Sequence, residues 1–260
     1  MTDERRSLPL ARPSRYSPEV YVGVAEGESQ ALAPLVAESP ERAIEAAGIA
    51  SERAASLTAA AHAHEPPDAP IACRRGCSTC CHAKVLVVAP EVLRIAAHLR
   101  ATRSPEDLAD LLARVQAADV RVRGLSRAAR AEARVPCPLL DADGGCGVHP
   151  VRPLVCRSWT SYDAGACERY WEAPAGKQTP PQWAIGYELA QAVLAGLGKA
   201  CFDVGRDGTP LELIAALRIT LERPTAGERW HKRLPVFSAA KDAEWIEANV
   251  PSGPSGKTVP

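Results

Sequence analysis

Residues 73–81 read CRRGCSTCC, and residues 137–157 read CPLLDADGGCGVHPVRPLVCR. The first stretch places four thiols within nine residues, and Gly76 permits a tight turn between them. The second stretch and the residues after it add four more thiols, those of Cys137, Cys146, Cys156 and Cys167. Because thiolates are soft ligands that select zinc or iron–sulfur clusters, this pattern predicts a cysteine-ligated metal site.

Composition excludes several other functions. The 260 residues carry 31 lysines plus arginines and 31 aspartates plus glutamates, so the chain offers no basic footprint for nucleic acid or an anionic membrane. Aromatic residues make up 5%, too few to suggest a platform for stacking bases. No apolar run is long enough to span a bilayer, and the charged start MTDERR lacks the apolar part of a secretory signal. We therefore expect a cytoplasmic protein that binds neither nucleic acid nor membrane.

The nine cysteines need an explanation in such a compartment. Disulfides are disfavoured where thiols are kept reduced, and an odd count fits poorly with a fully paired framework. Metal ligation, catalysis and buried packing remain. We assign buried packing to Cys201, which lies apart from the others beside Phe202, because a lone cysteine is usually a small buried hydrophobe.

The second cysteine group lies in a glycine- and proline-rich region, residues 136–170, that is expected to be loop-like. A metal that ties this region to the first group would supply folding free energy that its own contacts lack. The thiols could serve one four-ligand centre, two centres or one multinuclear centre, and the adjacent pair Cys80-Cys81 is expected to point in different directions. The predicted metal ligands are Cys73, Cys77, Cys80, Cys81, Cys137, Cys146, Cys156 and Cys167.

The rest of the chain favours helices. Ser39-Pro40 and Ser104-Pro105 each place a capping serine before a proline, which is typical of a helix start. The short β-branched run 84–88 predicts one strand. Residues 1–30 show no clear period and are expected to be poorly ordered or to lie draped over the rest of the protein. Helices are predicted at residues 41–62, 89–100, 104–122, 183–197, 210–222 and 239–249. The sequence leaves open whether the helix at 104–122 extends towards residue 134, and Gly196 and Gly198 are expected to end the helix at 183–197.

The predicted fold class is mainly α, with helices around an irregular cysteine-rich metal-binding loop core and at most a small β element. We expect a partly helical N-terminal extension over residues 1–65 and the cysteine-cluster domain with its C-terminal helices over 66–237. A short helix and a disordered tail are expected over 238–260, since PSGPSGKTVP has the composition of a disordered segment.

Several other side chains lie close to the cysteines in sequence. Arg152 and Arg157 could donate hydrogen bonds to cluster sulfides or bind an anionic substrate. Alternatively, they pair with a nearby carboxylate, and the candidates are Asp141, Asp143 and Asp163. Trp159 could shield the metal from water, although a place in the core is the simpler interpretation.

His82 and His149 are possible ligands because imidazole binds zinc, but each is more simply explained without a metal. Lys84 and Glu91 are expected to be solvated or paired. No residue is assigned a catalytic role, since the sequence contains no serine–histidine–aspartate set, phosphate loop or dinucleotide fingerprint.

Cys73, Cys77 and Cys80 form CxxxCxxC, which is also the cluster motif of radical S-adenosylmethionine enzymes. The match is only three residues wide. Those enzymes require a run of β/α units after the motif, whereas the sequence here predicts one short strand, helices and loops. We keep this interpretation as a minor alternative.

The pieces CxxxCxxCC, CPLL, CGVH and RPLVCR, in this order over about residues 71–172, resemble the YkgJ-type cysteine-cluster family. Ser161-Tyr162-Asp163 and Cys167-Glu168 also resemble longer members of this family. The resemblance implies chelation of zinc or iron and does not imply one reaction. His149 stands where the family often has tyrosine. A more distant likeness is to flagellin lysine methylases, which are associated with an iron–sulfur cluster and methyl transfer.

The predicted function is therefore metal binding through clustered thiolates. An iron–sulfur cluster is favoured over zinc because simple structural zinc sites usually show cleaner paired CxxC knuckles. Two alternatives remain open: an iron–sulfur-dependent enzyme that transfers methyl groups or electrons, and an interaction module whose fold is held by zinc. The expected partner is the metal ion or cluster, and the sequence assigns no protein partner or substrate.

Overall fold

A computed structural model describes residues 16–67, 69–172 and 180–249. Within these ranges the predicted mainly α class is confirmed by eleven α-helices and one two-stranded sheet. The helices are α1 Pro18–Glu38, α2 Pro40–His64, α3 Ala89–Thr102, α4 Pro105–Val122, α5 Arg127–Ala133, α6 Leu154–Ser158, α7 Ala164–Glu172, α8 Ala184–Asp203, α9 Leu213–Glu222, α10 Ala226–His231 and α11 Ala243–Asn249. The strands β1 Leu86–Val87 and β2 Leu211–Glu212 pair antiparallel, and short 3-10 helices occur at Thr79–His82, His149–Val151 and Ser238–Ala240.

Two helices begin where their capping residues predict. Ser39 Oγ accepts a hydrogen bond from Arg42 N at 3.2 Å at the start of α2. Ser104 Oγ accepts one from Asp107 N at 3.1 Å at the start of α4. Each serine pairs an N–H that the helix itself leaves without a partner. The helices predicted at 41–62, 89–100 and 104–122 are thereby confirmed as α2, α3 and α4.

The main core is apolar and lies between α1, α2, α3, α4, α8 and α9. Val36, Val92, Val193 and Leu217 are fully buried in it. One face of α2 consists of buried alanines, which allows its neighbours to approach closely. The cysteine-bearing segments contact this core through Cys137 and Cys146. The domain boundaries at residues 65 and 237 stay a prediction, although α1 and α2 contribute to the same core as the later helices.

The expectation of poor order for residues 1–30 is wrong from residue 18 onward, because α1 starts at Pro18. Its pattern is weak because Gly23, Gly27 and Pro34 interrupt it, and packing against α8 stabilises it instead. Residues 1–15 lie outside the described residues, as does the tail 251–260 that was expected to be disordered.

The prediction that Gly196 and Gly198 end the eighth helix is also wrong, because α8 continues to Asp203. A Cβ atom on Gly196 would lie 2.6 Å from both the carbonyl oxygen of Ala25 and the Cβ of Glu28 in α1. Glycine is therefore required here by the close approach of two helices and does not mark a helix end.

We expect Gly196→Ala to lower the free energy of unfolding by about 1–3 kcal/mol, because the added methyl group overpacks the contact between α1 and α8. Urea unfolding followed by circular dichroism measures this change. Gly23→Ala is the matched control, because nothing lies within 4 Å of the added Cβ in the middle of α1. There the change should stabilise the protein by about 0.5–1 kcal/mol, and equal effects at both positions would contradict the packing argument.

The region expected to be loop-like, 136–170, contains two short helices, α6 and α7, that the sequence pattern did not predict. Both lie between glycines and prolines and are too short to show a clear apolar period. The sequence left open whether the helix at 104–122 continues towards residue 134. In the structure α4 ends at Val122, and Gly124, whose φ is +75°, separates α4 from α5. No helix in the described part of the chain has both the length and the apolarity that crossing a membrane requires.

Candidate metal centre

The first cysteine segment is folded by its own backbone turns. Cys77 N donates to Arg74 O at 3.1 Å across Gly76, whose φ is +83°. Cys81 N donates to Ser78 O at 2.9 Å inside the 3-10 helix Thr79–His82. These turns curl the chain so that Cys73, Cys77, Cys80 and Cys81 all line the same cavity.

Backbone hydrogen bonds join this segment to the second one. Cys137 N donates to Cys81 O at 2.8 Å, and Ala72 N donates to Ser161 O at 2.8 Å. Cys146 forms an isolated β-bridge with Leu140, which turns the glycine-rich loop back on itself. Segments more than fifty residues apart in the chain are therefore held side by side.

A cavity of about 650 Å³ lies between the two segments. Cys167 in α7 does not line it and is buried, whereas the other predicted ligands each contribute to its wall. Those seven are Cys73, Cys77, Cys80, Cys81, Cys137, Cys146 and Cys156. The structure thus brings together around one cavity most of the residues that the sequence singled out.

The electrostatics divide the thiols into two neighbouring groups. In the first, burial and then the nearby thiols of Cys77 and Cys80 raise the pKa of Cys73. Burial raises the pKa of Cys167 as well, and Cys73, Cys80 and Cys77 act in the same direction. Cys167 therefore lies within electrostatic range of the first cysteine segment although it is outside the cavity wall.

The second group surrounds Cys156. Burial raises the pKa of Cys156, and the thiols of Cys137, Cys80 and Cys146 raise it further. Burial raises the pKa of Cys137 to about 11, with Cys146 acting in the same direction. Cys80 lies close enough to influence both groups, so the groups adjoin each other.

Cys80 and Cys81 do not point apart, and that expectation is wrong. A hydrogen bond to the Cys81 thiol, followed by burial, raises the pKa of Cys80, and both residues line the cavity.

No three cysteine, histidine, aspartate or glutamate side chains in the described ranges are gathered closely enough to hold a metal ion as they stand. The expected convergence of the sulfurs on one centre is therefore incomplete in this structure. The donor set still fits a soft metal or cluster, because seven thiols face one cavity. Binding would draw these thiols together, as metal sites that form on loading do.

Two arginines supply positive charge beside the thiols. The charge of Arg152 lowers the pKa of both Cys73 and Cys80, against the larger effects that raise it. Arg130 in α5 is 1% exposed and acts in the same direction on Cys137. Both arginines line the cavity and would offset the charge of bound thiolates.

The predicted pairing of Arg152 and Arg157 with nearby aspartates is wrong. Arg157 instead donates to the backbone carbonyl oxygens of Arg152, His149 and Pro150, at 3.2, 3.2 and 2.7 Å, which fixes the turn before Cys156. The aspartates have other partners: Asp141 pairs with Arg103, Asp143 with Arg75 and Asp163 with Arg169.

The two histidines and Trp159 occupy different positions. His149 lines the cavity, and the charge of Arg152 lowers its pKa. His82 Nδ1 lies 3.3 Å from Thr79 O at the end of the 3-10 helix. Trp159 lines the cavity, and its ring packs edge-on against Tyr187. A ligand role for either histidine stays a prediction.

Sequence reasoning missed the role of Glu91, which was expected to be solvated or paired. Glu91 is 5% exposed, and its carboxylate accepts hydrogen bonds from Leu154 N at 2.9 Å and from Val88 N at 3.2 Å. One side chain thus holds the N-termini of α3 and α6 together and positions the turn that carries Cys156. The available signal was a glutamate at the third position of a predicted helix.

Lys84 is paired as expected, and most of its side chain is covered. Its side chain is 8% exposed and forms ion pairs with Asp242 and Glu244, the latter at 2.9 Å. Cys201 behaves as predicted for a core residue: it is fully buried in α8 and its thiol donates to Leu197 O at 3.3 Å.

These features define a helical protein with a thiol-lined cavity built from two distant cysteine segments. Residues 72–176 match a family model described as "CxxCxxCC: Putative zinc- or iron-chelating domain". The resemblance expected from the sequence is thus confirmed as a match of residues 72–176 to this zinc- or iron-chelating family model. Comparison with curated proteins and with solved structures gives no match. The likeness to flagellin lysine methylases therefore stays a prediction.

The alternative based on the radical S-adenosylmethionine motif gains nothing from the fold. Between residues 16 and 249, apart from the undescribed positions 68 and 173–179, the structure contains one two-stranded sheet. The run of β/α units that such enzymes require is not found there.

Proposed function

We propose that this protein binds an iron–sulfur cluster, or alternatively zinc, through the thiolates of its two cysteine segments. The observation that carries the proposal is the shared cavity, because two segments from distant parts of the sequence contribute thiols to one wall. The proposed ligands are drawn from Cys73, Cys77, Cys80, Cys81, Cys137, Cys146, Cys156 and Cys167.

The chemistry around the thiols supports this proposal. Burial keeps thiols such as Cys137 and Cys156 protonated in the absence of metal, because it disfavours the thiolate form. A bound metal displaces those protons and compensates the thiolate charge. Arg130 and Arg152 add positive charge in the same place, so the negative charge of a thiolate-ligated centre would be partly offset.

The number and placement of the thiols favour an iron–sulfur cluster over a single zinc ion. A structural zinc site uses four ligands, whereas seven cysteines line the cavity and an eighth lies nearby. Cys80 influences both thiol groups, which suits a centre with more than one metal atom. A cluster would supply an electron-transfer site, whereas zinc would supply a cross-link between the two segments.

Anaerobic purification followed by visible absorption and analysis of zinc, iron and acid-labile sulfide tests this proposal. We expect coloured protein containing iron and sulfide. Colourless protein containing stoichiometric zinc would overturn the preference for a cluster and retain thiolate chelation. Protein that holds neither metal, both as purified and after anaerobic reconstitution with iron, sulfide or zinc, would contradict chelation altogether.

A further inference from the structure

The cavity wall contains a buried cation without a hydrogen-bond partner at two of its nitrogens. Arg130 lines the cavity from α5 and is 1% exposed. Its Nε and Nη1 atoms have no hydrogen-bond partner among the described residues. An arginine fork carries five N–H donors, and buried donors are nearly always paired in folded proteins. Nε and Nη1 of Arg130 are therefore available to an acceptor in the cavity.

The same wall contains further donors of this kind. Trp159 Nε1, Trp171 Nε1 and Arg152 Nε are buried without a hydrogen-bond partner in the described structure, and all three residues line the cavity. Ten buried side-chain nitrogens and oxygens lack a hydrogen-bond partner in the described ranges. Five of them, these three and the two of Arg130, belong to residues that line this one cavity. All five are donors, so the cavity favours an acceptor-rich ligand.

The two carboxylates in the wall are already engaged. Glu212 accepts a hydrogen bond from Ala215 N at 2.9 Å at the start of α9, and Asp141 pairs with Arg103 at 3.1 Å. Glu212 lies within electrostatic range of Arg130, but neither carboxylate forms an ion pair with Arg130 in the described structure. A bound anion would supply the acceptor that Nε and Nη1 of Arg130 lack.

The rest of the wall indicates what that molecule carries besides its charge. Leu139, Val155 and Ile214 contribute hydrocarbon surface to the cavity. Its volume of about 650 Å³ falls within the range of roughly 300–1,000 Å³ that is typical of small-molecule sites. Inorganic phosphate would leave apolar walls like these in contact with water, whereas an organic anion would cover them.

We propose that the cavity beside the cysteines binds a small organic carboxylate, with Arg130 as the cation that pairs with it. The indole N–H groups of Trp159 and Trp171 are the further donors, and the apolar side chains contact the hydrocarbon part of the ligand. Binding of a carboxylate is a function in addition to the proposed metal chelation. It rests on the proposed function only in that both sites lie in the same cavity.

The competing explanation is that these donors serve the sulfur atoms of the metal centre. Arg130 lies near Cys137, and N–H donors to thiolates are common around metal sites. The two explanations predict different results, because a donor to sulfur affects metal content and a donor to a carboxylate affects ligand binding.

Isothermal titration of the full-length, metal-quantified protein with acetate, butyrate, benzoate and inorganic phosphate tests the proposal. We expect benzoate and butyrate to bind more tightly than acetate, and phosphate to bind weakest. Arg130→Gln should weaken benzoate binding at least about tenfold, because hydrogen bonds to charged groups typically contribute that much. Arg114→Gln, an exposed arginine on α4 outside the cavity, should leave binding unchanged.

Arg130→Lys covers the case in which the glutamine variant does not fold, because lysine keeps the charge but lacks the planar fork. It too should weaken benzoate binding while circular dichroism and metal content stay at wild-type values. The proposal is overturned if none of the carboxylates binds the folded, metal-containing protein, or if only phosphate binds. It is also overturned if Arg130→Lys lowers metal content and leaves benzoate binding unchanged, and this result would assign Arg130 to the metal centre without challenging chelation.

Discussion

Cys156→Ser is expected to lower the affinity for metal by more than about tenfold, since even residues that only support metal ligands contribute about 10–100-fold. Cys156 belongs to the second thiol group and lines the cavity between the two segments. Serine removes the soft ligand and leaves a hydroxyl that binds zinc or iron–sulfur centres poorly. Cys77→Ser should act in the same way from the first segment. Metal-to-protein ratio and thermal unfolding of matched preparations measure both effects.

Much of the fold around residues 136–170 should be lost with the metal, because binding free energy of a structural site is also folding free energy. Cys201→Ser is the matched control, since Cys201 is equally a cysteine but is buried in α8 away from the cavity. It should keep wild-type metal content. Full metal content and stability in Cys77→Ser would show that the cysteine constellation does not hold the metal.

Glu91→Ala is expected to have the second large effect. The carboxylate of Glu91 accepts hydrogen bonds from Leu154 N and Val88 N, and alanine would leave both N–H groups buried without a partner. Each unsatisfied group costs about 1–3 kcal/mol, so the free energy of unfolding should fall by about 2–6 kcal/mol. Chemical denaturation measures it, and metal content should fall too because α6 carries Cys156. A loss below about 0.5 kcal/mol would contradict this role.

Glu91→Gln tests the titration of this group, and it also removes one acceptor, because Leu154 N and Val88 N donate to different carboxylate oxygens. Burial raises the pKa of Glu91 from its ordinary 4.5 to about 7, against the effects of the two backbone hydrogen bonds and of Arg94. Between these values the folded state holds more protons than the unfolded state, so the contribution of Glu91 to stability falls as pH rises, by about 3 kcal/mol in total. Glutamine does not titrate. Its deficit relative to wild type should therefore be largest near pH 5 and smaller at pH 8, and an equal deficit at both would exclude this titration.

Helices α2 and α4 could be predicted from a local start signal. Ser39 and Ser104 cap α2 and α4 through hydrogen bonds to residues three positions away, which the sequence displays directly. Helix α1 also starts at a serine–proline pair, Ser17-Pro18, but the Ser17 side chain forms no capping hydrogen bond and the helix lacks a clear apolar period. Its stability comes from packing against α8, which lies far away in the chain. Gly196 was misinterpreted for the same reason, because its neighbour in space is Ala25.

The residues of the candidate site likewise include some that the sequence could predict and some that it could not. Clustered cysteines can be recognised from spacing because close spacing in the chain is itself the signal. Arg130 and Trp171 have no such signal, since their importance follows from burial and missing partners. Glu91 shows only its place at the third position of a predicted helix, which does not reveal its contact with Leu154. The closeness of the Cys80 and Cys81 thiols likewise has no signal in the sequence.

X-ray absorption at the metal edge of the anaerobically purified protein tests the central claim most directly, because it counts the atoms bound to the metal. The account predicts a metal surrounded by sulfur, with a second metal at short distance if an iron–sulfur cluster is bound and with sulfur at about 2.3 Å if zinc is bound. The sulfur signal should be unchanged in Cys201→Ser and reduced in Cys156→Ser. A metal surrounded only by oxygen and nitrogen atoms would contradict the claim that these cysteines form the site.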